Sequence, residues 1–364
     1  MPDRADHLEQ LDGLRAVAVA AVLLWHFVPQ SAVVLPWGPL GVRLFFVLSG
    51  FLITGILLRC RGLARTQGAP VPFLMRRFYA RRFLRILPIY YLTLLVVAAL
   101  DVPPTRATLG WHLAYATNVW ITRAETWPGP LAHFWSLAVE EQFYLLWPWV
   151  VLLLPPAALR PTMWTLAAVA PVFRVVCRAF GLWWWLGQYV LLPAALDALA
   201  LGALLAEVHA SRTRPGVLEM RGGGWIAVAL LIVAQLLRMG LPHSAVAGLS
   251  DTLDACAFAW VVHHAARGFA GAAGRVLGSP PFRWLGRVSY GVYVYHPFAI
   301  AALPVVAATF GRPAPEAPLA RFVVLTAMTL AVAWLSWHVV EAPINALKDR
   351  VPYAPPTPRP VPAA

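Results

Sequence analysis

Apolar runs recur along the whole chain, each bounded by a polar, proline-containing or arginine-rich connection. A bilayer core of about 30 Å is crossed by roughly 20 apolar helical residues. Within it a chain satisfies its own backbone only as helices or a closed barrel. The runs here are continuous rather than alternating, so they predict helices. They fall at about 14–34, 40–58, 86–100, 136–154, 163–177, 189–208, 224–237, 248–265, 288–308 and 321–340. The fold class is therefore an all-α membrane protein, a bundle of about ten transmembrane helices. The stretch 71–87, VPFLMRRFYARRFLRIL, mixes apolar and cationic residues at helical spacing. It predicts an interfacial amphipathic helix on an anionic leaflet.

Composition agrees with the pattern: 60% hydrophobic and 12% charged residues exclude an ordinary soluble globule. The net charge of +13 comes almost entirely from arginine. In a soluble protein such an excess points to nucleic acid; here the positive-inside rule accounts for it and no nucleic-acid partner is expected. Loops 59–85, 209–223 and 267–287 carry the excess, which places them and both termini in the cytoplasm, in a bacterial cytoplasmic membrane. The first apolar run holds Arg15 and His26 and lacks a small-residue cleavage site, so it is a retained helix. Three domains follow: a cytoplasmic N-terminus at 1–10, a membrane domain at 11–345 and a cytoplasmic Pro-rich tail at 346–364. Cys60, Cys177 and Cys256 have no ligand-like spacing, which argues against a disulfide framework or zinc site.

Four groups of residues carry candidate chemistry. In LDGLRAVAVAAVLLWHF, Arg15 and His26 are eleven residues apart. At 100° per residue they share one helix face, about 16 Å apart. Ionisable groups at membrane depth mark functional sites by default, and a neutral imidazole can take a hydroxyl proton or carry an acyl group. Snorkelling by Arg15 is the bland alternative. In RRFLRIL, Arg82 and Arg85 neighbour each other on a helix, and two forked guanidiniums suit nucleotide phosphates. Arg59, Arg61, Arg65, Arg76 and Arg77 read as a membrane-surface anchor.

In HFWSLAVEEQFYLLWP, Ser136 opens the segment, and Glu140 and Glu141 follow. The adjacent carboxylates point about 100° apart, so only one is expected to face a given cavity; that one could orient His26 or serve the acceptor. Trp135, Trp147 and Trp149 fit an interfacial aromatic belt. Lastly, Ser289, Tyr293 and His296 fall on one face of the ninth run, and Asp197 needs a partner at depth, either Arg174 or Arg43. No metal site and no permanently bound cofactor are expected.

Together these segments resemble the acyltransferase-3 family of integral membrane acyltransferases. LDGLRAVAVAAVLLWHF, GVRLFFVLSGFLI, RRFLRILPIYYL, FWSLAVEEQFYLLWP, LDALALGALLA, SYGVYVYHPF and VEAPI match its landmarks in order over about 11–345. One departure stands out: Arg43 replaces a frequent Asp.

The resemblance implies that an acyl group, commonly acetyl, moves from a cytoplasmic acyl-CoA to a hydroxyl of a carbohydrate or glycoside. His26 would be the base or acyl relay, assisted by Arg15. Arg82 and Arg85 would hold the donor phosphates, and Glu140 or Glu141 would support the acceptor side. Ser136, Asp197, Tyr293 and His296 join the expected substrate-binding set. Membrane lipids are the remaining partner. Some members carry an additional periplasmic esterase-like domain, which the short stretch after the tenth run leads one not to expect here. A transporter or flippase using the intramembrane His, Arg and Asp groups is the alternative, and a non-catalytic partner of a polymer synthase a third.

Overall fold

The computed structural model describes residues 9–33, 35–182, 184–211, 219–220, 222–241 and 245–354. The ends of the expected terminal segments (1–8 and 355–364) and most of the 209–223 loop lie outside them. Among the described residues every regular element is helical. The helices are α1 (Glu9–Phe27), α2 (Trp37–Gln67), α3 (Val71–Ala99), α4 (Thr105–Leu113), α5 (Thr117–Ala124), α6 (Phe134–Leu153), α7 (Pro156–Phe180) and α8 (Trp184–Val190). There follow α9 (Leu192–Ser211), α10 (Gly223–Gly240), α11 (Ser250–Arg267), α12 (Gly271–Leu277), α13 (Pro280–Thr309), α14 (Pro318–Ser336) and α15 (Ala342–Ala346).

Eight helical stretches among the described residues are long and apolar enough to cross a membrane. They are α1, α2, α3, α7, α9 with the end of α8, α10, α13, and α14 with its continuation to Arg350. The other two runs expected to span, α6 and α11, form helices of 20 and 18 residues. Glu140, Glu141 and Gln142 interrupt the apolar character of the first, and Asp251 and Asp254 that of the second.

The separate interfacial helix is not found. Residues 71–99 form one continuous helix, with Pro88 inside it. At 1.5 Å per residue its 29 residues reach about 43 Å, beyond a bilayer core. Around the expected boundary Phe83 is 58% exposed, while Arg82 and Arg85 turn towards the protein interior. Arg82 and Arg85 thus answer to a cavity rather than to lipid headgroups.

Small residues set the central packing. A Cβ on Gly50 of α2 would stand 2.0 Å from the Leu199 carbonyl oxygen of α9, and one on Gly202 of α9 would stand 2.1 Å from that of Val47. Only glycine lets the two backbones approach this closely, as at many membrane helix crossings. Likewise Gly286 brings α13 onto α1, against the Asp12 carbonyl. The ends of α2 and α6 are tied by Arg61, which donates to the carbonyls of Val151 (2.6 Å) and Leu154 (2.7 Å), satisfying acceptors at a helix C-terminus.

Between α2, α7, α9, α10 and α11 lies a network of three arginines and three aspartates, buried except for the half-buried Arg238 and Asp251. Arg43 bridges Asp197 (2.9 Å) and Asp251 (2.7 Å), and Arg174 pairs with Asp197 (2.6 Å). Arg238 pairs with Asp251 (2.8 Å) and with Asp254. Asp197 therefore takes both of its candidate partners. Arg43 is part of this charge-balanced network, so a cation at that position has neighbouring carboxylates that neutralise it.

Candidate active site

Three cavities lie end to end through the bundle, adjacent ones sharing wall residues. The largest, about 600 Å3, is lined by His26 and Trp25 of α1, by Trp127, His133, Trp135 and Tyr189, and by Arg174, Arg178, Arg238 and Asp251. Val42 and Tyr293 belong both to it and to a narrow cavity of about 60 Å3. That constriction is walled by Arg15, Ser49, Arg82, Arg85, Ser136, Glu140, Glu141, Tyr144, Ser289 and Tyr290. Arg15, Arg85 and Tyr290 continue into a third cavity of about 270 Å3, with Asp12, Arg287, Glu341, Asn345 and Lys348. Because α1 carries Arg15 and His26 on one face, a single helix contributes to all three.

The protonation of His26 follows from its surroundings. Its Nδ1 lies 2.9 Å from the Val22 carbonyl one turn back. A carbonyl oxygen only accepts, so Nδ1 carries the proton and Nε2 keeps its lone pair. Two further imidazoles pack around this position. His296 lies 4.7 Å from His26, ring centre to ring centre, and His133 lies 5.2 Å from His296. Each also donates to a carbonyl: His296 Nδ1 to Tyr293 (2.6 Å) and His133 Nε2 to Val294 (3.1 Å). Burial pushes the His133 imidazole, at the head of α6, down to about 3, so it is neutral at ordinary pH.

The expectation for the carboxylates needs correction on two counts. Glu140 and Glu141 both line the narrow cavity. It is bounded by residues of α1, α2, α3, α6 and α13, so it curves around α6 far enough to meet side chains 100° apart. Neither orients His26, whose Nδ1 is held by the helix backbone. Glu140 instead accepts from Ser49, which in turn accepts from the Tyr144 hydroxyl (3.0 Å). Both Arg15 and Arg82 lie within electrostatic reach of the same carboxylate. The carboxylates thus stand among the arginines, not on the His26 side.

Tyr293 joins the cavities and bonds across helices, its hydroxyl 2.5 Å from Ser136 Oγ. The polar stripe on α13 therefore serves both a cavity wall and a helix–helix contact. Asp197 is not brought to the cavities; it is wholly buried and saturated by Arg43, Arg174 and Thr252. The tryptophans divide. Trp149 is 52% exposed, as a belt residue is, but Trp147 is buried and donates to Thr54 (2.7 Å), and Trp135 lines the large cavity.

A family model described as an acyltransferase domain matches residues 8–338. The chain belongs to this acyltransferase family. It is 30% identical to the peptidoglycan O-acetyltransferase OatA of Listeria monocytogenes over 93% of this chain and 56% of that protein. It is also 30% identical to the putative peptidoglycan O-acetyltransferase YrhL of Bacillus subtilis, over 93% of this chain and 55% of that one. A putative O-acetyltransferase of Staphylococcus aureus matches at 32% over 41% of this chain and 25% of its own length. The chain thus spans about half the length of the first two relatives. No solved structure matches it.

Family membership concentrates attention on residues the sequence did not single out. Trp25, Trp127, Tyr189, Arg178, Arg238 and Asp251 all enter the large cavity. They come from separate segments with no shared motif, so only the tertiary fold assembles them. His133 carried one signal, its place directly before the FWSLAVEEQ segment.

Proposed function

We propose that this chain is a membrane O-acyltransferase moving an acetyl-type group from a cytoplasmic acyl-CoA to a hydroxyl of a carbohydrate. Peptidoglycan is the acceptor that the names of its relatives favour. The observation that carries this is the run of cavities along α1: Arg15, Arg82 and Arg85 line one end, while at the other a base with a free Nε2 shares the wall with Arg174 and Arg238, both paired with aspartates. The arginine-lined cavity is the cytoplasmic end, both termini are on that side, and α6 and α11 complete ten spans.

Arg15, Arg82 and Arg85 hold the donor phosphates by charge-assisted hydrogen bonds. The acyl arm threads the constriction and presents its thioester towards the large cavity, where the acceptor sits among Trp25, Trp127 and Trp135. His26 Nε2 takes the proton from the acceptor hydroxyl as the oxygen attacks the thioester carbonyl. The C–S bond then breaks, and the leaving thiolate takes the proton back from the imidazolium. A two-step route balances equally: Nε2 attacks the thioester carbonyl and expels the CoA thiolate, then the acceptor oxygen displaces the imidazole, whose released Nε2 takes the hydroxyl proton and passes it to the thiolate. Glu140 and Glu141 lie within electrostatic reach of Arg82, and Glu140 of Arg15 as well, and offset part of their charge. The narrowing to about 60 Å3 between the two larger cavities leaves no wide path through the bundle, which favours transfer over transport.

The experiment is acetylation of glycan strands by the purified protein in nanodiscs, supplied with radiolabelled acetyl-CoA. Label in the glycan is expected. A protein that binds no acyl-CoA yet moves a lipid-linked glycan across the membrane would overturn the proposal.

A further inference from the structure

Beyond Arg85 of the RRFLRIL segment, the cytoplasmic-end cavity has a rim of its own. Arg287 of α13 is exposed at it, and Lys348, just after α15, is half-buried. Arg15 and Arg85 are half-buried and also line the constriction, so they stand deeper. Four cations thus face two carboxyl groups, Asp12 and Glu341, around about 270 Å3. Among the described residues none of the four cations forms an ion pair with a carboxylate. Lys348 is in addition within electrostatic reach of Arg15, Arg81, Arg82 and Arg85, all of its own sign. Elsewhere in this protein buried cations are matched by aspartates, as around Arg43. A cluster left unmatched at a cavity mouth is arranged for an anion supplied from outside.

The rim is also held in place independently of the Lys348 side chain. Arg81 donates to the backbone carbonyls of Lys348 (2.8 Å) and Val351 (3.1 Å), and its guanidinium lies 5.0 Å from the centre of the Tyr353 ring. The segment after α15 is thereby strapped onto α3, and the ammonium is placed at the mouth by backbone contacts.

We propose that Arg287 and Lys348 form a second phosphate subsite, which takes the phosphate on the nucleotide end of the donor and so selects 3′-phosphorylated CoA. This rests on the donor assignment above. With the thioester pointing along the constriction, the nucleotide is the part of such a donor that remains at the mouth. The deep arginines then serve the pyrophosphate and the rim serves the ribose phosphate.

The test compares acetyl-CoA with 3′-dephospho-acetyl-CoA as donors for the purified full chain, in wild type, Arg287→Ala, Lys348→Ala and Arg85→Ala. Wild type should prefer acetyl-CoA by roughly tenfold or more, the range of a charged hydrogen bond. Each rim variant should raise KM for acetyl-CoA by about that factor, leave kcat unchanged and barely affect the dephospho donor. Lys348→Arg should restore the preference. Arg85→Ala should weaken both donors together. Rim variants that weaken both donors alike, or neither, would overturn the subsite while leaving the donor assignment intact. A wild-type protein that uses neither donor would overturn both.

Discussion

The imidazoles of His26 and His296 stand 4.7 Å apart, each donating Nδ1–H to a carbonyl of its own helix. Both tautomers are thereby fixed by backbone. His26 lines the large cavity, whereas His296 is wholly buried and does not. An imidazole held this way needs no carboxylate to fix its tautomer, and Glu140 and Glu141 stand at the arginine end instead.

The first prediction concerns that end. Arg82 and Arg85 line the constriction together with Arg15. Replacing both by alanine should raise KM for acetyl-CoA roughly 100-fold or more, since each charge-assisted bond is worth about 1.5–3 kcal/mol. Steady-state kinetics at saturating acceptor reads this. An effect on the acceptor KM alone would place the donor elsewhere.

The buried ion network should matter for stability rather than turnover. Asp197→Ala leaves the buried Arg43 and Arg174 without their shared carboxylate. Breaking a buried pair from one side costs about 3–5 kcal/mol. Thermal unfolding in detergent should show a large drop in Tm. A small drop accompanied by loss of acceptor binding would make Asp197 a ligand-binding group after all.

Glycine at the α2–α9 crossing gives a sharper contrast. Gly202→Ala puts a methyl on the Val47 carbonyl, whereas Gly55 of α2 has open space around it. The first should destabilise by about 1–3 kcal/mol through overpacking. Gly55→Ala should be neutral or stabilise by up to about 1 kcal/mol through helix propensity. Paired melting curves decide it, and equal behaviour would mean the two helices can move apart freely.

His112 makes stability depend on pH. It lies in α4, 1% exposed, between the hydroxyls of Thr108 (3.0 Å) and Thr117 (2.7 Å). Burial pushes its imidazole down to about 4. The unfolded chain, near 6.5, therefore binds more protons between these values. Stability is full above about 6.5 and is lost as pH falls towards 4, by on the order of 3 kcal/mol. His112→Gln should flatten the dependence of Tm on pH over that window. An unchanged slope would assign it to other groups.

Much of this was legible in the chain itself, and the failures share one cause. Helix positions followed from continuous apolar runs, and the Arg15–His26 face from helical arithmetic, because both are local properties. The Ser289–Tyr293–His296 stripe was equally local. What lay beyond reach was the shape of the space between helices. A cavity that curves around α6 accommodates both Glu140 and Glu141, although their directions differ by 100°. Trp25, Trp127, Arg178 and Arg238 meet only after α1, α7, α10 and the connection between α5 and α6 have packed. The stretch 71–87 looked interfacial because charge spacing does not say whether a cationic face meets lipid or an internal cavity. Asp197 shows a further limit: the sequence offered two partners, and the structure uses both.

The central claim is that His26 performs the transfer while the arginine end holds the donor. Single-turnover transfer from radiolabelled acetyl-CoA, alongside equilibrium donor binding, tests it in wild type and His26→Ala reconstituted in nanodiscs. Transfer in His26→Ala should fall by about 10²–10⁴-fold, the span of a lost general base, with donor affinity and Tm unchanged. Wild-type transfer by His26→Ala, or loss of donor binding in that variant, would contradict it.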